Sequence, residues 1–157
     1  MKSIHAVAIV AIAAMLIAPT ISAVHAQGSP QGKVVEFGVV KPGDGKPVFE
    51  RRTARIPLRK GLRFGFCAEI TGLGDEGGKY ALSETVRHPV TTGPNGIEEN
   101  GWNVPRMVKV ENGRARWCGG HLFEHDWELV PGKWRFEVAD GDNVLVVQEF
   151  DAVADGK

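Results

Sequence analysis

Hydrophobic and polar residues alternate along several short stretches of the chain, which is the pattern of β-strands with one buried and one solvated face. Two stretches, residues 62–70 and residues 134–138, show the alternation most clearly. Their hydrophobic positions are Leu62, Phe64, Phe66, Ala68 and Ile70 in the first, and Trp134, Phe136 and Val138 in the second. Beyond the N-terminal 26 residues, no stretch repeats hydrophobic residues at helical spacing. The pattern predicts an all-β domain whose core is formed by aromatic residues of different strands.

Asn112-Gly113 lies between two β-rich runs and is the strongest short signal for a two-residue hairpin turn. A hairpin with that turn would pair Val110 with Ala115 and Met107 with Cys118. The residues expected on its inner face are Val108, Val110, Ala115 and Trp117. This hairpin would place residues 107–118 in one sheet.

Residues 89–103 form the longest predicted loop, because Pro94-Asn95-Gly96 within it is a turn sequence. Trp102 would then be a large ring on a polar loop, with Asn103 and His88 beside it as a possible binding surface. The alternative is that Trp102 folds back and caps the core.

Short strands separated by turn sequences predict one immunoglobulin-like antiparallel β-sandwich of about 7–9 strands. We assign residues 33–154 to this domain and residues 27–32 to a flexible lead-in. Residues 1–26 have the pattern of a helical signal peptide that is cleaved after Ala26 or Ala23. Its apolar run is shorter than the roughly 20 residues of a membrane-spanning helix. We therefore expect a periplasmic or secreted protein without stable membrane insertion after cleavage.

The charge balance bears on the kind of partner. The chain has 19 Lys and Arg against 19 Asp and Glu, and a nucleic-acid-binding domain is expected to have a clear basic excess. We therefore expect no nucleic-acid partner. One local basic stretch comprises Arg51, Arg52, Arg55, Arg59, Lys60 and Arg63. We interpret it as the solvated face of a strand and its turn, with contact to an anionic glycan or an acidic partner as the alternative.

The chain has two cysteines, Cys67 and Cys118. In an exported protein two cysteines usually form one disulfide. The alternation places both side chains on outward faces, so the bond is expected to join neighbouring strands on the solvent side of a sheet.

A metal site is the alternative for the same region. His88, Cys118, His121 and His125 could supply the two histidines and one thiolate of a copper centre, or ligands for zinc. Against this, a disulfide would consume the thiolate, and strand alternation places residues 118 and 121 on opposite faces.

Motifs for enzyme chemistry are missing: the sequence has no nucleophile elbow, zinc-protease helix motif, phosphate-binding loop or dinucleotide fingerprint. We therefore predict no catalytic residues, no enzyme activity and no cofactor. The expected function is that of an exported module that binds or supports another protein or a small ligand in the cell envelope.

Several segments resemble a family of small exported bacterial domains of unknown function. The segments are Arg63-Phe64-Gly65-Phe66, Arg87-His88-Pro89, the Trp127–Gly132 run with Trp134 and Phe136, and Leu145 with Phe150. The resemblance covers roughly residues 33–153 and implies a bacterial source and a single exported domain. It implies no catalytic or binding residues. The family pattern also implies no cysteine pair, so the disulfide is expected to be particular to this chain.

Overall fold

The computed structural model describes residues 28–43, 45–74 and 78–154. Within these ranges the chain forms nine β-strands and one short 3₁₀ helix. The strands are β1 (Gln31–Val40), β2 (Phe49–Arg51), β3 (Arg55–Pro57), β4 (Arg63–Thr71), β5 (Lys79–Thr92), β6 (Glu98–Lys109), β7 (Arg114–Leu122), β8 (Gly132–Asp140) and β9 (Asn143–Val153). The 3₁₀ helix, Asp126–Glu128, lies between β7 and β8.

The strands form two sheets, one with the order β2-β1-β4-β7 and one with the order β3-β9-β8-β5-β6. The two sheets pack face to face and enclose the core, so the predicted all-β sandwich is confirmed. One pairing departs from the antiparallel prediction: β3 runs parallel to β9. The parallel pair arises because β2 and β3 belong to different sheets, and the chain crosses from one sheet to the other between them.

The core is formed by the residues that the alternation of hydrophobic and polar positions in β4 and β8 predicted. Phe64 and Phe66 of β4 and Trp134 and Phe136 of β8 are essentially inaccessible to solvent. Phe64 is central, because its ring lies 5.3 Å from Phe123, 5.6 Å from Trp134, 6.1 Å from Phe136 and 5.1 Å from Phe150 between ring centroids. The last three pairs are edge-on, a geometry that stabilises the core beyond the area the rings bury.

The Asn112-Gly113 turn forms as predicted, with positive φ at both residues (54° and 69°). The predicted pairing of the two strands beyond this turn is wrong. Among the described residues, β6 and β7 share only the Glu111–Arg114 bridge, since β6 pairs with β5 and β7 pairs with β4 in the other sheet. The predicted Met107–Cys118 pair is therefore absent. The predicted inner face is nevertheless buried, because the same side chains point inward in either arrangement; it comprises Val108, Val110, Ala115 and Trp117.

The predicted loop over residues 89–103 is also wrong. β5 continues to Thr92 and β6 begins at Glu98, so only a short turn remains, closed by a hydrogen bond from Gly93 N–H to the Ile97 carbonyl (3.0 Å). The strand tolerates Pro89 because the β5–β6 register shifts between Arg87 and Thr91, where a residue without an N–H interrupts no ladder bond.

The N-terminal predictions are only partly within the described residues. The predicted signal peptide, residues 1–26, lies outside them. β1 begins at Gln31, two residues before the predicted start of the domain at Lys33 and so within the predicted lead-in. Among the described residues no helix has the length and hydrophobicity needed to cross a membrane.

Candidate functional site

His88 and Trp102, two of the three residues of the predicted binding surface, lie together at one end of the sandwich. Their ring centroids are 5.6 Å apart, and both rings pack near Trp134, with His88 stacked on it at 4.5 Å. Trp102 lies on β6 rather than on a loop, is half-buried, and packs against the hydrophobic core. This geometry agrees with the alternative in which Trp102 caps the core.

Asn103 does not join this group. Alternation along β6 turns it to the outer face of the five-stranded sheet, where its amide donates a hydrogen bond to the Thr85 hydroxyl (2.5 Å). The three predicted surface residues therefore do not form one surface.

His121 of β7 completes a cluster of four rings with His88, Trp102 and Trp134, which we call the ring cluster. The His121 ring stacks on Trp134 at 4.5 Å and lies 5.8 Å from Trp102. Burial lowers the pKa of His121 below its usual value, and the opposing attraction of Glu128 does not offset this. His121 is therefore neutral at pH 7.

Two buried nitrogens of the ring cluster have no hydrogen bond among the described residues. His121 Nε2 lies 3.4 Å from Glu128 Oε1 without a hydrogen bond between them, and the buried Trp134 Nε1 has no partner among the described residues. The other oxygen of Glu128 accepts two backbone hydrogen bonds of 2.7 Å, from the N–H groups of Glu124 and His125. These two bonds cap the N-terminus of the 3₁₀ helix, and Glu128 faces His121 from there.

The four predicted metal ligands do not converge. Cys118 is bonded to Cys67, His125 stacks on Trp127 at 5.3 Å, and His88 and His121 stack on Trp134. Over the part of the chain that the structure describes, no three His, Cys, Asp or Glu side chains are grouped to hold a metal ion.

The predicted disulfide is present between Cys67 and Cys118. The two residues face each other across β4 and β7, with Cα atoms 4.1 Å apart. As the alternation predicted, the bond joins neighbouring strands on the outer face of the four-stranded sheet. Cys67 is buried and Cys118 is exposed.

A groove of about 550 Å³ lies next to the disulfide on that outer face, and we call it the outer groove. One wall is the segment between β1 and β2, which includes Pro42, Pro47 and Val48, and Phe49 of β2 continues it. The floor is the paired β4 and β7, where Gly65 faces Gly120. The charged side chains of its lining are Lys41, Lys46, Arg63 and Glu124.

The floor of the outer groove requires glycine. A Cβ added at Gly120 would lie 2.1 Å from the Phe64 carbonyl oxygen, and one added at Gly65 would lie 2.3 Å from the Gly119 carbonyl oxygen. Since both obstacles are backbone atoms, the two strands approach too closely for any side chain there. The floor therefore has no side chain at these two positions.

No pattern in the sequence predicted this groove. Residues 41–47 are a recognisable turn sequence, but a turn sequence does not show which surface the turn will cover. Of the predicted basic stretch, Arg63 lines the groove, whereas Arg52 lies over the Phe37 ring at 4.8 Å and Lys60 pairs with Asp126 at 3.4 Å. The stretch therefore does not act as one surface.

Solved structures show which fold this is. An immunoglobulin-like protein from Pseudomonas aeruginosa matches with a TM-score of 0.65 at 25% sequence identity, over 82% of this chain and 99% of that one. The fold is thus immunoglobulin-like, as predicted.

Two weaker likenesses involve parts of larger proteins. A β-glucosidase from Listeria innocua matches with a TM-score of 0.42 at 11% identity, over 78% of this chain and 16% of that one. An alkylpurine DNA glycosylase from Pseudomonas fluorescens matches with a TM-score of 0.40 at 14% identity, over 79% and 31%. At these TM-scores neither likeness bears on function.

The family is shown by sequence. No curated protein matches the chain. A family model described as a domain of unknown function, DUF3859, matches residues 32–152, which is nearly the whole sandwich. The chain therefore belongs to the DUF3859 family.

Proposed function

We propose that this protein is an exported, non-catalytic module that binds a ligand of the cell envelope in the outer groove. The observation that carries the proposal is the groove itself. Its volume of about 550 Å³ lies within the range of roughly 300–1,000 Å³ that is usual for ligand pockets.

The floor of the groove is rigid, which favours binding. The register pairs β4 with β7 from Arg63–Leu122 to Thr71–Arg114, and the disulfide links the same two strands two positions from Gly65. A preorganised floor loses little conformational entropy when a ligand binds.

The lining supports binding rather than catalysis. Its described residues include one carboxylate, Glu124, and no serine or threonine, while the sulfur of Cys118 is held in the disulfide. Covalent catalysis requires an activated nucleophile beside a base, and these residues do not provide one.

Export is supported by the disulfide and by the N-terminal sequence. Disulfides persist in oxidising compartments and are rare in the cytosol, and residues 1–26 have the composition of a signal peptide.

A pair of tryptophan substitutions tests the proposal. Val48→Trp fills the groove from its wall, while Val144→Trp adds the same bulk in β9 of the other sheet; the two valines are 57% and 49% exposed. Isotope-labelled wild-type protein and both variants are mixed with fractionated bacterial envelope extract, and amide chemical shifts are recorded.

We expect shifts at Gly65 and Gly120 in the wild type and in Val144→Trp, and none in Val48→Trp. Groove amides that do not respond in the wild type, or that respond equally in both variants, would overturn the proposal.

A further inference from the structure

We infer that the outer groove binds an acidic saccharide, a short sugar chain that carries carboxylates. This inference rests on the proposed function and names the chemical class of its ligand. Charge, backbone pairing and the composition of the walls each support it.

The charge of the groove favours an anion. Lys41, Lys46 and Arg63 line it with exposed side chains, and among the described lining residues Glu124 is the one carboxylate. None of the three cations has a carboxylate within 4.0 Å among the described residues. Because the whole chain has equal numbers of basic and acidic residues, this local excess is not a consequence of general basicity. It provides a positive potential that attracts anionic ligands.

Cations on the outer face of the five-stranded sheet differ from those of the groove, because they form ion pairs within the protein. There Lys133 pairs with Glu149 at 2.9 Å, and Arg135 pairs with Glu137 at 2.6 Å and with Glu149 at 3.0 Å. Those cations are neutralised by the protein itself, whereas the described part of the groove leaves its cations available to a ligand.

The floor of the groove argues against an extended peptide. A peptide strand binds a sheet by hydrogen bonding to unpaired backbone groups at an edge. The centre of the floor is β4, which is paired on both sides, with Gly65 between Gly38 of β1 and Gly120 of β7. β7 is the edge strand of this sheet, so its unpaired side lies at the border of the floor. Recognition at the floor therefore depends on shape and on the side chains of the rim.

The walls suit a sugar ring. Pro42, Pro47 and Phe49 provide apolar surface beside the cationic rim. A pyranose ring has apolar C–H faces and polar edges, so it can pack its faces on these walls while its carboxylates reach the cations. The side-chain-free floor at Gly65 and Gly120 leaves room for a ring to lie flat.

The inference is tested by calorimetric titration with trigalacturonate at low ionic strength, with neutral maltotriose and a tri-glutamate peptide as comparison probes. The test variant is Lys41→Glu/Lys46→Glu. The control Lys79→Glu reverses an exposed cation at the start of β5, in the other sheet. Val48→Trp blocks the groove.

We expect trigalacturonate to bind the wild type and Lys79→Glu equally, to bind the double variant at least about tenfold more weakly, and not to bind Val48→Trp. Maltotriose and the peptide should bind much more weakly than trigalacturonate.

Four outcomes would overturn the inference. Equal weakening in Lys79→Glu would indicate general attraction of polyanions, and equal affinity for the peptide would indicate that carboxylates alone are recognised. Binding of maltotriose that is insensitive to the charge variants but lost in Val48→Trp would refute the acidic ligand and leave the proposed function intact. If none of the probes binds while envelope extract still shifts the groove amides, the saccharide class is wrong and the binding role stands.

Discussion

Removal of the Cys67–Cys118 disulfide should be among the most destabilising changes that this domain can undergo without loss of a core ring. The bond closes a loop of 51 residues, and the chain-entropy model gives about 4 kcal/mol for a loop of that length. The whole free energy of unfolding of a domain is roughly 5–15 kcal/mol. The unfolding entropy of roughly 2.1 cal/mol/K per residue, over about 120 residues, converts this loss to a fall of about 15 °C in Tm.

The assay is calorimetric melting of the oxidised protein, the reduced protein and the Cys67→Ala/Cys118→Ala variant. The control is Glu36→Ala/Arg116→Ala, which removes an ion pair on the same outer face between β1 and β7. Both of its members are half exposed, so we expect a change below about 1 kcal/mol. The reasoning is refuted if oxidised and reduced proteins melt within about 3 °C of each other, or if the ion-pair control falls as far as the cysteine variant.

Three further predictions concern the core and the ring cluster. Phe64→Ala should lower the free energy of unfolding by about 3–5 kcal/mol in urea titrations, because the ring is fully buried among four others. The control Val147→Ala, on the exposed face, should change it by less than about 0.5 kcal/mol. Similar losses in the two variants would contradict the assigned core. Trp102→Ala should cost about 2 kcal/mol, less than a fully buried Trp, and an unchanged Tm would show that Trp102 does not cap the core. Burial lowers the pKa of His121 in the folded state, so the folded protein binds a proton at His121 less readily than the unfolded chain does. The stability of the fold should therefore be fully present above about pH 6.5, the usual pKa of histidine, and should fall as the pH drops towards the lowered pKa of the folded state. Urea midpoints between pH 5 and 7.5 should show this slope in the wild type and a flatter one in His121→Phe, and equal slopes would assign the pH dependence to the neighbouring Glu128, Glu124 or His88.

The residue alternation was sufficient to predict which side chains face the core. Phe64 and Phe66 of β4 and Trp134 and Phe136 of β8 are buried as predicted, because in a strand with one wet face a side chain's direction depends only on its position. The outward disulfide followed from the same rule.

The choice of strand partners could not be predicted in this way. Val110 and Ala115 face inward both in a hairpin and in a chain that crosses between sheets, so their pattern cannot distinguish the two. The predicted loop starting at Pro89 was wrong for a related reason. A proline interrupts a regular ladder of strand hydrogen bonds, but a register shift allows β5 to continue beyond Pro89. Partner choice depends on contacts distant in sequence, which a local pattern does not record.

The outer groove shows how this limit applies to function. In the sequence Lys41 and Lys46 lie in a turn segment, Arg63 ends a basic stretch, and nothing links these cations to Gly65 and Gly120. They form a site only because β1, β4 and β7 are neighbours in one sheet, so that the segment after β1 reaches over a floor where two glycines meet. The disulfide fixes that same strand pair, and the glycine contact requires the two backbones to approach closely. The stability of the sandwich and the shape of the groove therefore depend on the same β4–β7 pairing, and a change at Gly120 should affect both.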